Sequence, residues 1–163
     1  MQRCIELAGF VAAQVVCCLF DGQPFVPLGF TQRGEGEKIA TVLSAGSPEF
    51  IKAFSQRWLD VNAACADDAV VATDGYVTLP PGARSDAILL DLRSYGSPPR
   101  KMRMVIPYRP HGQSGGFAVH RPKFVVEELA GQDQAALTTA FFRGVFSHEP
   151  GSRIWQACID PRW

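Results

Sequence analysis

The stretch AVVATDGYVTL (residues 69–79) decides the fold that we predict, because it contains two apolar runs joined by an Asp-Gly dipeptide. Asp74 and Gly75 tolerate the positive φ angles of a two-residue type I′ turn, and such a turn joins two antiparallel strands. Thr73 would then pair with Tyr76. Four apolar residues would share one face of the hairpin: Val70, Ala72, Val77 and Leu79. The sequence therefore predicts that Asp74 forms the tip of a turn and has no acid–base role.

More extended segments are predicted on both sides of this hairpin, because short runs of alternating character are separated by Gly and Pro. Residues 25–32 and 38–45 are expected to pair around the glycines at 34 and 36. Further strands are predicted over residues 88–95, 101–109, 117–120, 124–127 and 154–159. Pro107 suggests a strand end or a sheet edge, because it lacks the N–H of a central strand. Strands in such close succession pair antiparallel.

The first of three predicted helices covers residues 4–20, which are almost continuously apolar. Glu6 interrupts this run, and no cleavage motif of a secretory signal precedes its end. The run is also short against the roughly 20 residues of a membrane span. We therefore expect a buried core helix and no contact with a membrane.

Two more helices are indicated by start signals. Ser47 is a suitable N-cap, with Pro48 at the first helical position. Apolar side chains then recur at helical spacing, which predicts a stripe facing the core: Phe50, Phe54, Trp58, Val61 and Cys65. The last helix, over residues 131–146, is capped by Asp133. It places three residues on one face: Leu137, Phe141 and Val145.

These elements predict an α+β fold in which a meander of about six to seven antiparallel strands carries about three helices, mainly on one face. A chain of 163 residues, 47% of them hydrophobic, fits a single globular domain over residues 1–163. The formal net charge of zero argues against nucleic acid as a partner. Five cysteines, an odd number without CxxC spacing, are typical of reduced, buried thiols in a cytoplasmic protein.

A basic segment follows the predicted hairpin, since no acidic residue occurs between Leu92 and Val126. On the strand over residues 101–109, basic side chains alternate with methionines and fall on the opposite face. Candidate residues for binding an anionic small molecule are Arg93, Lys101, Arg103, Arg109, His111, Ser114, His120 and Arg121. The alternative is an ordinary solvated strand face, on which charged residues are common. The loop over residues 109–116 lacks the helix start, Lys and Ser or Thr of a phosphate-binding loop.

No catalytic constellation, metal site or cofactor is predicted. The sequence has no nucleophile elbow, and Asp67 and Asp68 would raise the pKa of the nearby Cys65 thiol. The three histidines lack metal-ligand spacing, and His148 is expected at a helix end on the surface.

Two functional hypotheses remain. The first is a non-catalytic domain that binds a partner protein or assembles with itself, for which Trp155 and Trp163 could be interface anchors. Core packing is the alternative for both tryptophans. The second is a binding protein or enzyme for an anionic small molecule that uses the basic sheet face (residues 93–123).

Overall fold

The structure, a computed structural model, describes residues 1–23, 25–43, 47–79, 82–125 and 133–161. Its first helix, hairpin and second helix are α1 (Gln2–Phe20), β1 (Leu28–Gln32), β2 (Lys38–Val42) and α2 (Pro48–Val61). Five strands follow: β3 (Asp68–Leu79), β4 (Ala83–Ser94), β5 (Arg100–Arg109), β6 (Ala118–Val119) and β7 (Lys123–Val125). Two helices end the chain, α3 (Gln134–Phe146) and α4 (Glu149–Cys158).

The strands form one open antiparallel sheet in the order β2-β1-β3-β4-β5-β6, and β7 pairs with another part of β5. The predicted α+β fold is confirmed, with seven strands and with four helices rather than about three. The predicted pairing of β1 with β2 is also confirmed, since Leu28 lies opposite Val42 and Gln32 opposite Lys38. Pro107 lies between the positions at which β6 and β7 pair with β5.

The turn predicted at Asp74 is wrong. Asp74 and Gly75 lie in the middle of β3, opposite Ile88 and Ala87 of β4. The chain reverses between Leu79 and Ala83, which lie opposite each other in the β3–β4 pair. Packing, and not a turn, explains the glycine at position 75, because a Cβ atom there would lie 2.7 Å from Cδ1 of Leu89.

The main core lies between one face of the sheet and three helices, α1, α3 and α4. We call this the α1 face; β3, β4 and β5 contribute Val70, Leu90 and Met104 to it. The prediction of α1 as a core helix is confirmed, since its residues from Cys4 to Val16 are largely buried. By length and mean hydropathy alone, α1 is also the one helix of the described residues that could cross a membrane; 56% of its most apolar window is buried in the protein.

Helix α2 packs on the opposite face of the sheet, which we call the α2 face. The predicted helix is confirmed, but the predicted buried stripe is wrong. Leu59 packs on Ala69 and Val71 of β3, whereas Phe50, Phe54 and Val61 are exposed. Cys65 lies beyond the helix, is exposed and has a φ of 48°, so it is neither a core residue nor a buried thiol. The helix ends because Asn62 takes the left-handed conformation.

The C-terminal part of the chain is helical. α3 begins as predicted, with the Asp133 carboxylate accepting a hydrogen bond from the Ala135 N–H, and its predicted apolar face is buried. The strand predicted over residues 154–159 is wrong, because α4 occupies this segment after Pro150 in its first turn. His148, predicted at a helix C-terminus, is the N-cap of α4. Trp155 is 1% exposed and packs on Phe141, so it belongs to the core and not to an interface; Trp163 lies outside the described residues.

Candidate functional site

Three of the candidate basic residues lie on the α2 face of the sheet. Arg93 on β4 and Lys101 and Arg103 on β5 line a depression of about 280 Å³ beside α2. Nε and Nη2 of Arg103 donate to the two carboxylate oxygens of Asp91 at 2.8 and 2.9 Å. This bond raises the pKa of Arg103, so the guanidinium remains charged. The basic surface is therefore partly neutralised by a carboxylate from the neighbouring strand.

Arg93 and Asp91 are tied to α2 by one glutamine. Nη2 of Arg93 donates to Oε1 of Gln56 at 3.0 Å, while Nε2 of Gln56 donates to Oδ2 of Asp91 at 3.0 Å. Arg93 also forms an ion pair with Asp60 at 3.4 Å. These partners could not be predicted from the basic segment, because Gln56, Asp60 and Asp91 precede it in the chain.

Arg109, His111 and Ser114 lie at another place in the fold: Arg109 ends β5, and the other two lie on the loop between β5 and β6. Nε of Arg109 donates to the carbonyl of Gly116 at 2.8 Å, and its Nη1 lies 3.6 Å from Oδ2 of Asp160. The His111 ring stacks on Phe117 with centroids 5.4 Å apart. Ser114 is exposed. Arg109 thus holds the loop closed instead of facing an open cavity.

The last two candidates follow β6, and His120 contacts the same residue as Arg109, Asp160. His120 is buried, and its Nδ1 lies 3.2 Å from the carbonyl oxygen of Asp160. Arg121 follows it on the surface. Among the described residues, Arg93, Lys101 and Arg103 thus line one depression together, whereas Arg109 and His120 meet at Asp160.

A larger cavity, which we call the α2 groove, lies under the first half of α2 and has a volume of about 400 Å³. Its apolar lining comes from Phe25, Pro27, Ile51 and Leu89. Its polar lining comes from Lys52, Ser55, Gln56, Thr73, Asp74, Asp91 and Arg103. Three of these residues, Gln56, Asp91 and Arg103, also line the smaller depression, so the two hollows share a wall.

Ser55 is an unusual member of this lining. It is 2% exposed, and its hydroxyl has no hydrogen-bond partner among the described residues. A buried hydroxyl without a partner costs about 1–3 kcal/mol relative to one that is satisfied. Sequence reasoning missed Ser55 because it lies one residue beyond Phe54 of the stripe that we expected to be buried.

An exposed apolar surface lies on the other flank of α2. Its side chains are 39–66% exposed, and we call them the β2–α2 surface: Ile39, Phe50, Phe54 and Val61. The Trp58 ring lies against Gly29 of β1, and Trp58 and Ile39 line a cavity of about 320 Å³. This flank of α2 therefore faces β2, whereas the Gln56 flank faces β4 and β5.

Asp74 is hydrogen-bonded to a tyrosine of β5. The Tyr108 hydroxyl donates to Oδ1 of Asp74 at 3.1 Å. Partial burial raises the pKa of Asp74, and burial together with the Asp74 carboxylate raises that of Tyr108 far above its usual range. Tyr108 thus remains protonated at neutral pH. Within the described ranges no three His, Cys, Asp or Glu residues are grouped as metal ligands.

Comparison of the chain with protein-family models, curated proteins and solved structures gave no match.

Proposed function

We propose that the protein is a non-catalytic module that assembles with a second copy of itself through the β2–α2 surface. The observation that carries this proposal is the position of the exposed apolar flank of α2 directly beside an open edge of the sheet. The open edge, the apolar flank and the fit of the surface to a second copy all support it.

The two edges of the sheet differ. Beyond β6 the sheet is extended by a bridge between Val119 and Ile159, and the Asp160 N–H donates to the Val119 carbonyl at 2.9 Å. β2, at the other end, pairs only with β1 in the part of the chain that the structure describes. β2 contains one charged residue, Lys38, and no proline. Such an edge is available for pairing with another strand.

The apolar flank supplies contact area beside that edge. Phe50 is 66% exposed and Phe54 is 39% exposed, and a phenylalanine side chain buries roughly 150–250 Å² in an interface. Ile39 of β2, on the same face of the sheet, is 57% exposed. Val42 is 60% exposed and lies on the opposite face of the edge strand, in register with Leu28. Exposed apolar groups gathered at one place on a surface mark an interaction site. Together with the strand edge they form the apolar centre of an interface.

The surface fits a second copy. When two β2 strands pair antiparallel about a two-fold axis at Ala40, all five residues are used. Lys38 then lies opposite Val42 of the second copy, and Ile39 opposite Thr41, so no like charges meet. The zero net charge of the chain also minimises repulsion between copies.

The two α2 helices also fit this arrangement. Each α2 helix lies over β1 and β3 of its own copy. In the paired sheet these two positions are four strand spacings of about 4.8 Å apart, so the two helix axes are separated by roughly 19 Å. Helices about 10–12 Å in diameter leave a gap of less than about 10 Å between them. Phe50 and Phe54 of both copies would close this gap above the paired β2 strands.

Native mass spectrometry and sedimentation equilibrium of the untagged protein test the proposal. We expect a dimer for the natural sequence. Val42→Lys should shift the protein to monomer, because it places a lysine opposite Lys38 of the second copy. Val125→Lys is the matched control, since Val125 is an exposed valine on β7, and it should leave the dimer intact.

A natural protein that is monomeric at every concentration would overturn the proposal. So would equal dimerisation of the Val42→Lys and natural proteins. Phe54→Asp provides a second variant that leaves the strand unchanged and should weaken the dimer through the helix flank alone.

A further inference from the structure

We infer that a pocket beside Trp58 binds a small uncharged aromatic molecule that carries one hydrogen-bonding group. This pocket, which we call the Trp58 pocket, is the cavity of about 320 Å³ between the end of α2 and the α2 face of β1 and β2. Ile39 and Thr41 of the edge strand are exposed and border its mouth. The pocket therefore adjoins the surface proposed for assembly, but binding of a ligand does not require a second copy.

Two aromatic side chains line the pocket, Trp58 and Tyr95. The Trp58 ring lies against Gly29 of β1, where a Cβ atom would come within 2.8 Å of Cη2, so the glycine makes room for the indole. The Tyr95 hydroxyl donates to the carbonyl of Leu59, which fixes the tyrosine ring. Neither ring contacts another ring in the described part of the chain. An aromatic ligand can pack against both, and such ring pairs are favourable beyond the area that they bury.

The rim of the pocket is held in place by hydrogen bonds within the protein. Residues 62–64 form one side of this rim. The Asn62 amide accepts from the Ala66 N–H at 2.9 Å and donates to the Ala66 carbonyl at 3.0 Å. Nε of Arg33 donates to the carbonyl of Ala64 at 3.1 Å. The pocket is thus formed before a ligand enters, which reduces the entropy that binding costs.

The lining of the pocket carries no charge. None of the described residues that line it is Asp, Glu, Lys, Arg or His, in contrast to the two hollows on the Gln56 flank of α2. A charged ligand would lose its hydration without gaining an opposite charge, which is unfavourable. The ligand that fits this lining is therefore uncharged.

Thr31 gives an independent indication of a ligand. It lines the pocket from β1 and is only 6% exposed. Its hydroxyl makes no hydrogen bond to any residue that the structure describes. Unlike the Ser55 hydroxyl, it is not completely enclosed by protein, so a molecule in the pocket can reach it. Buried hydroxyls normally have a partner, and a polar group on the ligand would supply one.

The volume of the pocket sets the size of the ligand. A cavity of about 150 Å³ holds benzene, so about 320 Å³ accommodates a molecule of two fused rings. In the proposed dimer, Ile39 of the second copy would lie opposite Thr41 and cover the mouth. Its side chain is smaller than benzene and would not fill the pocket.

Three probes test the inference in titrations of the full chain followed by NMR. 2-Naphthol has two rings, a hydroxyl and no charge at neutral pH, whereas naphthalene lacks the hydroxyl and 2-naphthoate carries a carboxylate. We expect 2-naphthol to bind more tightly than either of the others. The amide signals of Thr31 and Asn62 and the indole N–H signal of Trp58 should shift and localise the ligand.

Two threonine variants form a matched pair. Thr31→Val keeps the shape of the side chain and removes the hydroxyl, so it should weaken 2-naphthol binding by about three- to tenfold and leave naphthalene unchanged. Thr73→Val removes a hydroxyl that lines the α2 groove instead, and it should change neither. Thr41→Trp, at an exposed position, should abolish binding of both by filling the mouth.

The inference is overturned if naphthalene or 2-naphthoate binds as tightly as 2-naphthol, or if Thr31→Val and Thr73→Val have the same effect. The Val42→Lys protein gives the same test without assembly, because Val42 lies on the opposite face of β2 from Ile39 and Thr41. It should bind 2-naphthol whether or not the natural protein dimerises. The assembly proposal and this inference therefore fail on separate results.

Discussion

His148 gives the protein a pH-dependent helix cap at the scale of a single residue. Its Nδ1 accepts from the Gly151 N–H at 3.1 Å, and its Nε2 lies 2.8 Å from Oε1 of Gln14. The first contact requires an unprotonated Nδ1, because the protonated ring carries a hydrogen on both nitrogens. Burial lowers the pKa of His148 in the folded protein, which favours this neutral form.

We therefore predict that stability falls as the pH drops below about 6.5, the usual pKa of histidine. Between the unfolded pKa and the lower folded pKa, the unfolded chain binds more protons, so acid favours unfolding. His148→Asn keeps a capping side chain and should reduce this loss, whereas His111→Asn should not. Thermal unfolding at about pH 8 and about pH 5 measures the difference. Equal pH dependence in the His148→Asn and natural proteins would contradict the prediction.

Asp74 shows why local signals in the sequence failed at one residue. An Asp-Gly pair favours a hairpin turn, but the twelve-residue strand β3 passes through it in full register with β4. The close contact of Leu89 with Gly75 and the hydrogen bond from Tyr108 to Asp74 stabilise that register. Both partners lie on other strands, so the dipeptide alone could not reveal them.

At the scale of elements, α1 and α3 approach each other closely at two glycines. A Cβ atom on Gly144 would lie 1.8 Å from the Glu6 carbonyl oxygen, and one on Gly9 would lie 1.9 Å from the Phe141 carbonyl oxygen. Both obstacles are backbone atoms, which cannot turn aside as a side chain can. The two helices must separate to accommodate any larger residue.

Gly144→Ala should therefore destabilise the protein by at least about 2 kcal/mol, since overpacking against backbone forces the helices apart. Chemical denaturation measures this change in the free energy of unfolding. Gly112→Ala is the matched control, because no atom lies within 4 Å of a Cβ at that position and stability should be nearly unchanged. The prediction fails if the two variants are equally stable.

The helices also show how far periodicity can be used. Capping residues predicted the starts of α2 and α3, and for α3 the buried face was predicted as well. For α2 the apolar stripe was assigned to the core, although Ser55 and Leu59 are the buried positions. Periodicity identifies an apolar face, but it does not distinguish a face that packs on the sheet from one that remains exposed.

At the scale of the whole molecule, the sequence predicted the fold class better than the candidate site. Strand alternation correctly placed Lys101 and Arg103 opposite the methionines of β5. The acidic partner Asp91 and the groove residue Leu89 come from β4 and Ser55 comes from α2, and only folding brings these two elements together with β5. A site assembled in this way leaves no motif with fixed spacing.

Self-assembly should also affect the stability of the molecule as a whole. If the dimer is the folded species, its unfolding produces two chains, so mass action makes Tm depend on protein concentration. For a domain of this size we expect Tm to rise by roughly 3–5 °C over a hundredfold increase in concentration. Val42→Lys should remove this dependence, because a monomer unfolds to a single chain. Val125→Lys should retain it. A Tm of the natural protein that is the same at all concentrations would show that folding is not coupled to association, whatever contacts the β2–α2 surface makes.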